Sequence, residues 1–179
     1  MGLYYLYKRS PKKWRELQAV AAALEQDIVK PTRSQGTRWV DHRRKALQCL
    51  TTNYNAIVLQ CQEYASGERR DVPAADAAKM KGYLKLLVAP NFVHHLALYR
   101  DIVEVVADLS LTFQRDNLLI SAVRSSVAAT QIMLKRMQTH PGLNLRQVQA
   151  AAGRAREQNE ANFNNFQDEL RGYIEDVKW

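Results

Sequence analysis

Apolar residues in this chain recur three and four positions apart, and no stretch of more than a few residues alternates polar with apolar. That periodicity confines the fold to packed helices, because it places apolar groups on one face of a 3.6-residue turn and on both faces of a strand. Ser10-Pro11 supplies a cap and a first helical residue whose missing N–H is harmless. Trp14, Leu17, Val20, Ala21, Leu24 and Ile28 then continue one face until Pro31. The spacing predicts a second helix from Trp39 to Tyr64, with Leu47, Leu50, Tyr54, Ile57, Val58, Cys61 and Tyr64 inward and Gly67 ending it. A third spans Ala74 to Val88, with Ala78, Tyr83, Leu84, Leu87 and Val88 as core candidates. A fourth, Asn91 to Gln114, has the widest apolar face (Phe92, Val93, Leu96, Tyr99, Val103, Val106, Leu109, Phe113) and is expected to be central. A fifth follows the Asp116-Asn117 turn to about Thr139, with Leu119, Ile120, Val123, Val127, Thr130, Met133, Leu134 and Met137 as its stripe.

The expected fold class is therefore all-α: an irregular bundle of about five to six helices, antiparallel where loops are short. Residues 1–142 read as one helical domain. Residues 143–179 read as a polar, helix-prone and partly disordered tail, whose thin stripe of Phe163, Phe166, Leu170 and Ile174 has nothing obvious to pack on. The 179 residues suffice for one domain with a real core.

Charge is distributed unevenly. Residues 1–45 hold eleven Lys or Arg against four acids, so that quarter carries +7 of the net +8. Such asymmetry fits an anionic partner, of which nucleic acid is the commonest, or a solvated basic face. Charge alone does not separate the two. No apolar run approaches the ~20 residues of a membrane span, and the N-terminus has its charge after its apolar residues, the reverse of a secretory signal. Gly2 lacks the Ser or Thr four residues on that myristoylation favours, since Leu6 stands there. The expectation is an intracellular protein without membrane contact.

Catalytic and metal chemistry find little support. Cys49 and Cys61, twelve apart on one expected helix, would lie about 18 Å from each other, too far for a disulfide, and read as buried structural residues. His94 and His95 point about 100° apart and His42 stands alone, so no shared ion is expected. Asp101, Glu104 and Asp108 share a helical face and read as solvated or salt-bridged rather than as a metal site. Lys79, Lys81, Lys85 and Arg100 read as ordinary surface bases. There is no phosphate-binding glycine loop and no nucleophile elbow. Neither a cofactor nor a small-molecule substrate is expected.

Four blocks carry the most specific signal. They are Ser10-Pro11-Lys12-Lys13-Trp14-Arg15-Glu16-Leu17, Gly36-Thr37-Arg38-Trp39-Val40-Asp41-His42, the run from Asp76 to Leu84, and the run from Leu109 to Val123. In this order they resemble the hAT superfamily of DNA transposases, most nearly its zinc-finger-containing, transposase-derived vertebrate members. The likeness covers about residues 3–148.

That resemblance implies a helical region inserted between the second and third metal-binding acids of an RNase H-like catalytic fold. By the same likeness, the acid-bearing strands, the Cys-x-x-His pair, the zinc finger and the dimerisation region belong to segments outside this chain, so catalysis by it is not expected. The family's base-stacking tryptophan matches Trp39, with Arg38, Arg43, Arg44 and Lys45 beside it and Lys12 and Lys13 upstream as phosphate contacts. The competing reading makes Trp39 a core anchor. The expected function is a non-catalytic, nuclear DNA-binding domain. The alternatives are a protein-interaction or dimerisation module without DNA contact, and a cytoplasmic setting. Apolar helix faces severed from a parent would favour homo- or hetero-oligomers, so the isolated chain is expected to self-associate.

Overall fold

The computed structural model describes residues 2–31, 39–116, 119–155 and 158. Among these there are eight helices and no strand. They are α1 (Gly2–Lys8), α2 (Pro11–Ala23), α3 (Trp39–Thr52), α4 (Tyr54–Ala65), α5 (Ala74–Leu87), α6 (Phe92–Thr112), α7 (Ile120–Met137) and α8 (143–155). The all-α expectation holds, and the count exceeds five to six for three local reasons.

First, the N-terminal residues form a helix of their own. Leu6 and Tyr7 of α1 are buried, and the Tyr7 hydroxyl donates to Gln60 Oε1 at 2.8 Å. Second, the single helix expected over 39–64 is interrupted at Asn53. The fully buried Asn53 amide accepts from Val29 N–H at 2.9 Å and donates to Val29 C=O at 2.6 Å. Its side chain satisfies the non-helical segment after α2, while Asn53 N–H to Cys49 C=O (3.0 Å) and Ile57 N–H to Asn53 C=O (2.9 Å) carry the ladder across the break. Third, α8 is fastened at its first turn. The Asp101 carboxylate of α6 accepts from Asn144 N–H (2.9 Å), Asn144 Nδ2 (2.7 Å) and Leu145 N–H (3.0 Å). Gly142 passes so close that a Cβ there would lie 2.3 Å from Asp101 Cγ.

α2 starts as expected, with Ser10 Oγ accepting from Lys13 N–H at 3.3 Å and Pro11 in the first turn. It stops eight residues before Pro31. Glu25 takes a left-handed φ of 51°, Gln26 N–H returns to Ala21 C=O (2.9 Å) and Glu25 N–H to Ala22 C=O (3.1 Å). This is a Schellman stop made without glycine. Ile28 therefore reaches the core from non-helical chain rather than from a helix.

The main core gathers Leu6 and Tyr7 with Leu17, Val20 and Ala21 of α2, Ala56, Ile57, Cys61 and Tyr64 of α4, and Met80 and Leu87 of α5. Its centre is α4, not the fourth helix of the sequence reading. On α5, Met80 is fully buried, whereas Ala78 and, just after the helix, Val88 are exposed. A smaller cluster joins Val40 of α3 to Val103 and Ala107 of α6, with Leu47 and Val106 beside them. The α3–α4 pair thus spans both clusters, and α6 packs against both α3 and α7.

On α6 the buried set is Ala97, Asp101, Val103, Val105 and Ala107, while Val93, Tyr99 and Phe113 are exposed. The covered face is rotated from the expected stripe because α3, α7 and the start of α8 approach from the small-residue side. No described helix is long and apolar enough to cross a membrane.

Candidate interaction surface

The basic residues singled out from the sequence fall into two separate groups. Lys12 and Lys13 open α2. The Lys13 ammonium lies 2.8 Å from Asp76 of α5, with only 12 % of its side chain exposed. Lys12 meets Asp71 at 3.0 Å and Glu16 at 4.0 Å. Arg69 completes this network. Its guanidinium reaches Asp71 at 2.8 Å and Glu16 at 3.0 Å and lies 5.0 Å over the Tyr64 ring.

The electrostatics of that network are self-contained. Burial alone would raise the Glu16 carboxyl, but the Tyr64 hydroxyl that donates to it and the Arg69 guanidinium beside it hold it below the usual range. Arg69 and Lys12 hold the Asp71 carboxyl far below its ordinary value. Burial and the Glu16 hydrogen bond push the Tyr64 phenol up. These groups lock the loop 66–73 and α5 onto α2.

The second group sits on α3. Arg44 and Lys45 both pair with Asp41, at 2.9 and 2.8 Å. The Lys45 hydrogen bond is the largest influence on the Asp41 carboxyl and lowers it, against burial and with help from Arg44. Arg43 donates to the Tyr99 hydroxyl of α6 at 2.6 Å. Trp39 begins α3, but its side chain and the whole of Arg38 lie outside the described residues. Of the predicted DNA contacts, the structure therefore brings Arg43, Arg44 and Lys45 onto one helix and places Lys12 and Lys13 on another. It engages four of these five bases with acids of the same chain. Two of those acids, Asp71 and Asp76, come from outside the first 45 residues, which is why a quarter-by-quarter charge count missed them.

Cys49 and Cys61 are free, buried and on different helices, and burial pushes each thiol up to about 11. Such thiols are neutral and poor nucleophiles. Asp101 is not on a solvated face but is 3 % exposed and serves as the acceptor for α8. Glu104 pairs with Arg100 at 3.0 Å, and Asp108 is exposed. No group of three potential ligands converges among the described residues.

The feature that sequence reasoning missed is at the other end. α7 contains no buried residue. Val123, Val127, Thr130, Leu134 and Met137 are half-buried and form its inner row. On the opposite side Arg124, Ala128, Ile132 and Arg136 succeed one another at four-residue steps, with Lys135 alongside. Ile132 is 67 % exposed and Ile120 at the start of the helix is 81 % exposed. α8 touches the body through Asn144, Leu145 and Val148, and from Gln149 to Ala155 every residue is exposed.

Residues 119–155 contain five bases (Arg124, Lys135, Arg136, Arg146, Arg154) and no acid. The signal lay in the sequence, hidden by counting everything after residue 45 together. The following segment, 157–179, carries six acids against two bases and cancels it. No family model matches the chain, and no solved structure matches it.

Proposed function

We propose that this chain is a non-catalytic helical interaction module that docks an acidic, amphipathic protein segment on the outer face of α7 and α8. The observation that carries this reading is an 18-residue helix with no buried side chain, whose outer row sets an exposed isoleucine among three bases and no acid. Apolar side chains exposed among charges of one sign are what a partner with an apolar stripe and the opposite charge covers.

DNA contact through the first quarter has weaker support. Lys12 and Lys13 already neutralise Asp71 and Asp76, and phosphate binding by them would have to replace those pairs. The four ordered sequence blocks support an origin in the helical insertion of a hAT-type transposase, and with it a nuclear setting and the absence of catalysis.

The test is anisotropy titration of the full chain with two labelled probes. One is a 20-residue helical peptide with an Asp/Glu face and a Leu/Phe stripe, and the other is a short DNA duplex. The peptide is expected to bind, and Ile132→Asp to weaken it tenfold or more, about 1.4 kcal/mol. Absence of peptide binding, together with DNA affinity that falls steeply with salt and is flattened by Lys12→Gln/Lys13→Gln, would overturn the reading in favour of a DNA-binding domain.

A further inference from the structure

The chain's own C-terminal segment has the chemistry that the α7–α8 face lacks. Residues 157–179 hold Glu157, Glu160, Asp168, Glu169, Glu175 and Asp176 against Arg171 and Lys178. Within them Phe163, Phe166, Leu170 and Ile174 recur at steps of three, four and four, the spacing of a single helical stripe. Immediately before them stands the acid-free stretch 119–155, with its outer bases and its exposed Ile132. Sign and apolar spacing are therefore complementary between two adjacent parts of one polypeptide.

We infer that residues 157–179 are the resident occupant of the α7–α8 face, bound in cis, with the phenylalanine stripe on Ile132 and the acids beside Arg124, Lys135 and Arg136. This rests on the reading of that face as a protein-docking surface and names what covers it.

Two physical arguments favour the tethered segment over a separate molecule. A sequence joined to its site by a short connection is present at an effective concentration in the millimolar range, far above that of a free partner. Its 23 residues also suffice to run the length of α7, which at 1.5 Å per residue is about 27 Å. A nucleic acid would match the bases but gains nothing from Ile120 and Ile132. An external partner would have to displace the segment, which makes the tail a built-in competitor that sets the threshold for docking.

Two measurements on the full chain test this. The first is zero-length carbodiimide coupling followed by mass spectrometry, on an equal mixture of ¹⁴N- and ¹⁵N-labelled protein. Lys135 is the sole lysine between residues 119 and 155, so its products are unambiguous. Amide links from Lys135 to Asp168, Glu169, Glu175 or Asp176 within one isotopic species are expected. Links found only in mixed species would overturn the cis assignment and make a second copy the occupant. No link to the tail would overturn it altogether.

The second measurement repeats the peptide titration with Phe166→Asp/Leu170→Asp. The probe peptide is expected to bind this variant at least tenfold more tightly than the natural chain, because its competitor is disarmed. Equal affinities would remove the tail as occupant and leave the docking reading standing. Absence of binding to both proteins would remove the docking reading as well.

Discussion

At the scale of single residues, a few buried polar groups decide where the chain turns. The Asn53 amide holds both backbone groups of Val29, and its Nδ2 also lies 3.3 Å from Cys49 Sγ. Asn53→Ala leaves the Val29 N–H without its acceptor and the Val29 C=O with only the Cys49 thiol, and is expected to lower stability by about 1–3 kcal/mol in urea unfolding. A loss below 0.5 kcal/mol would mean that water replaces the amide. Gly142→Ala drives a methyl into the Asp101 carboxylate and is expected to destabilise by about 1–3 kcal/mol, with faster amide exchange in 143–148. Unchanged exchange there would show that α8 is fastened by something other than Asp101.

The ion pairs around Arg69 give a pH dependence of definite sign. Glu16 titrates lower in the folded chain than its ordinary value of 4.5. Its contribution is therefore full above that value and is lost as pH falls through the lower folded one. The midpoint of thermal unfolding should drop as pH goes from about 5 toward 3, and less steeply in Arg69→Met. Parallel curves for the two proteins would exclude this network as the origin. The Tyr64–Glu16, Arg69–Glu16 and Lys12–Asp71 contacts join residues 48 to 59 positions apart, and nothing local in the sequence announces them.

At the scale of elements, starts were more legible than stops and faces. The Ser10-Pro11 start of α2, the onset of α5 after Pro73 and the span of α7 follow from local chemistry, so spacing and punctuation locate them. The stop of α2 does not. Glu25 adopts a conformation that the sequence gives no reason to expect, and a non-helical segment follows because Asn53 is there to receive it. The Thr51-Thr52-Asn53 run, poor in helix formers, was the one local hint of the break between α3 and α4.

Which apolar face of a helix is buried depends on neighbours. Val93 and Tyr99 of α6 and Phe113 just after it satisfied the periodic pattern yet lie exposed, Tyr99 meeting Arg43 of α3 only through its hydroxyl. For α7 the same reasoning yields a sharp expectation. In the chain whose tail is disarmed by Phe166→Asp/Leu170→Asp, Ile132→Asp should change unfolding free energy by no more than about 0.5 kcal/mol while weakening peptide docking tenfold or more, since the side chain is largely exposed on the helical body. A loss of 2 kcal/mol or more would place Ile132 in a packed contact of the body.

At the scale of the whole molecule, charge is the organising variable, and its resolution matters. Read in quarters, the chain has a basic start and a neutral remainder. Placed on the fold, two bases of the start, Lys12 and Lys13, pair with acids that return from the 66–73 loop and α5, and the acid-free stretch 119–155 supplies α7 and α8. With the tail as occupant of α7, the self-association expected of the chain from its bare apolar helix faces should be confined to a variant whose tail is disarmed. Sedimentation of Phe166→Asp/Leu170→Asp should show concentration-dependent oligomers that the natural chain does not form. Oligomers of equal size in both proteins would contradict this.

Docking on α7 and α8, rather than on the basic first quarter, is tested most directly by amide hydrogen exchange of the full chain carrying Phe166→Asp/Leu170→Asp, which leaves the face open, alone and saturated in turn with the acidic amphipathic peptide and with duplex DNA. Slowed exchange across 120–137 and 143–155 with the peptide, and unchanged exchange at 11–16 and 39–46 with either probe, is the result expected. Protection of 39–46 by DNA, with 120–137 unmoved by the peptide, would contradict it.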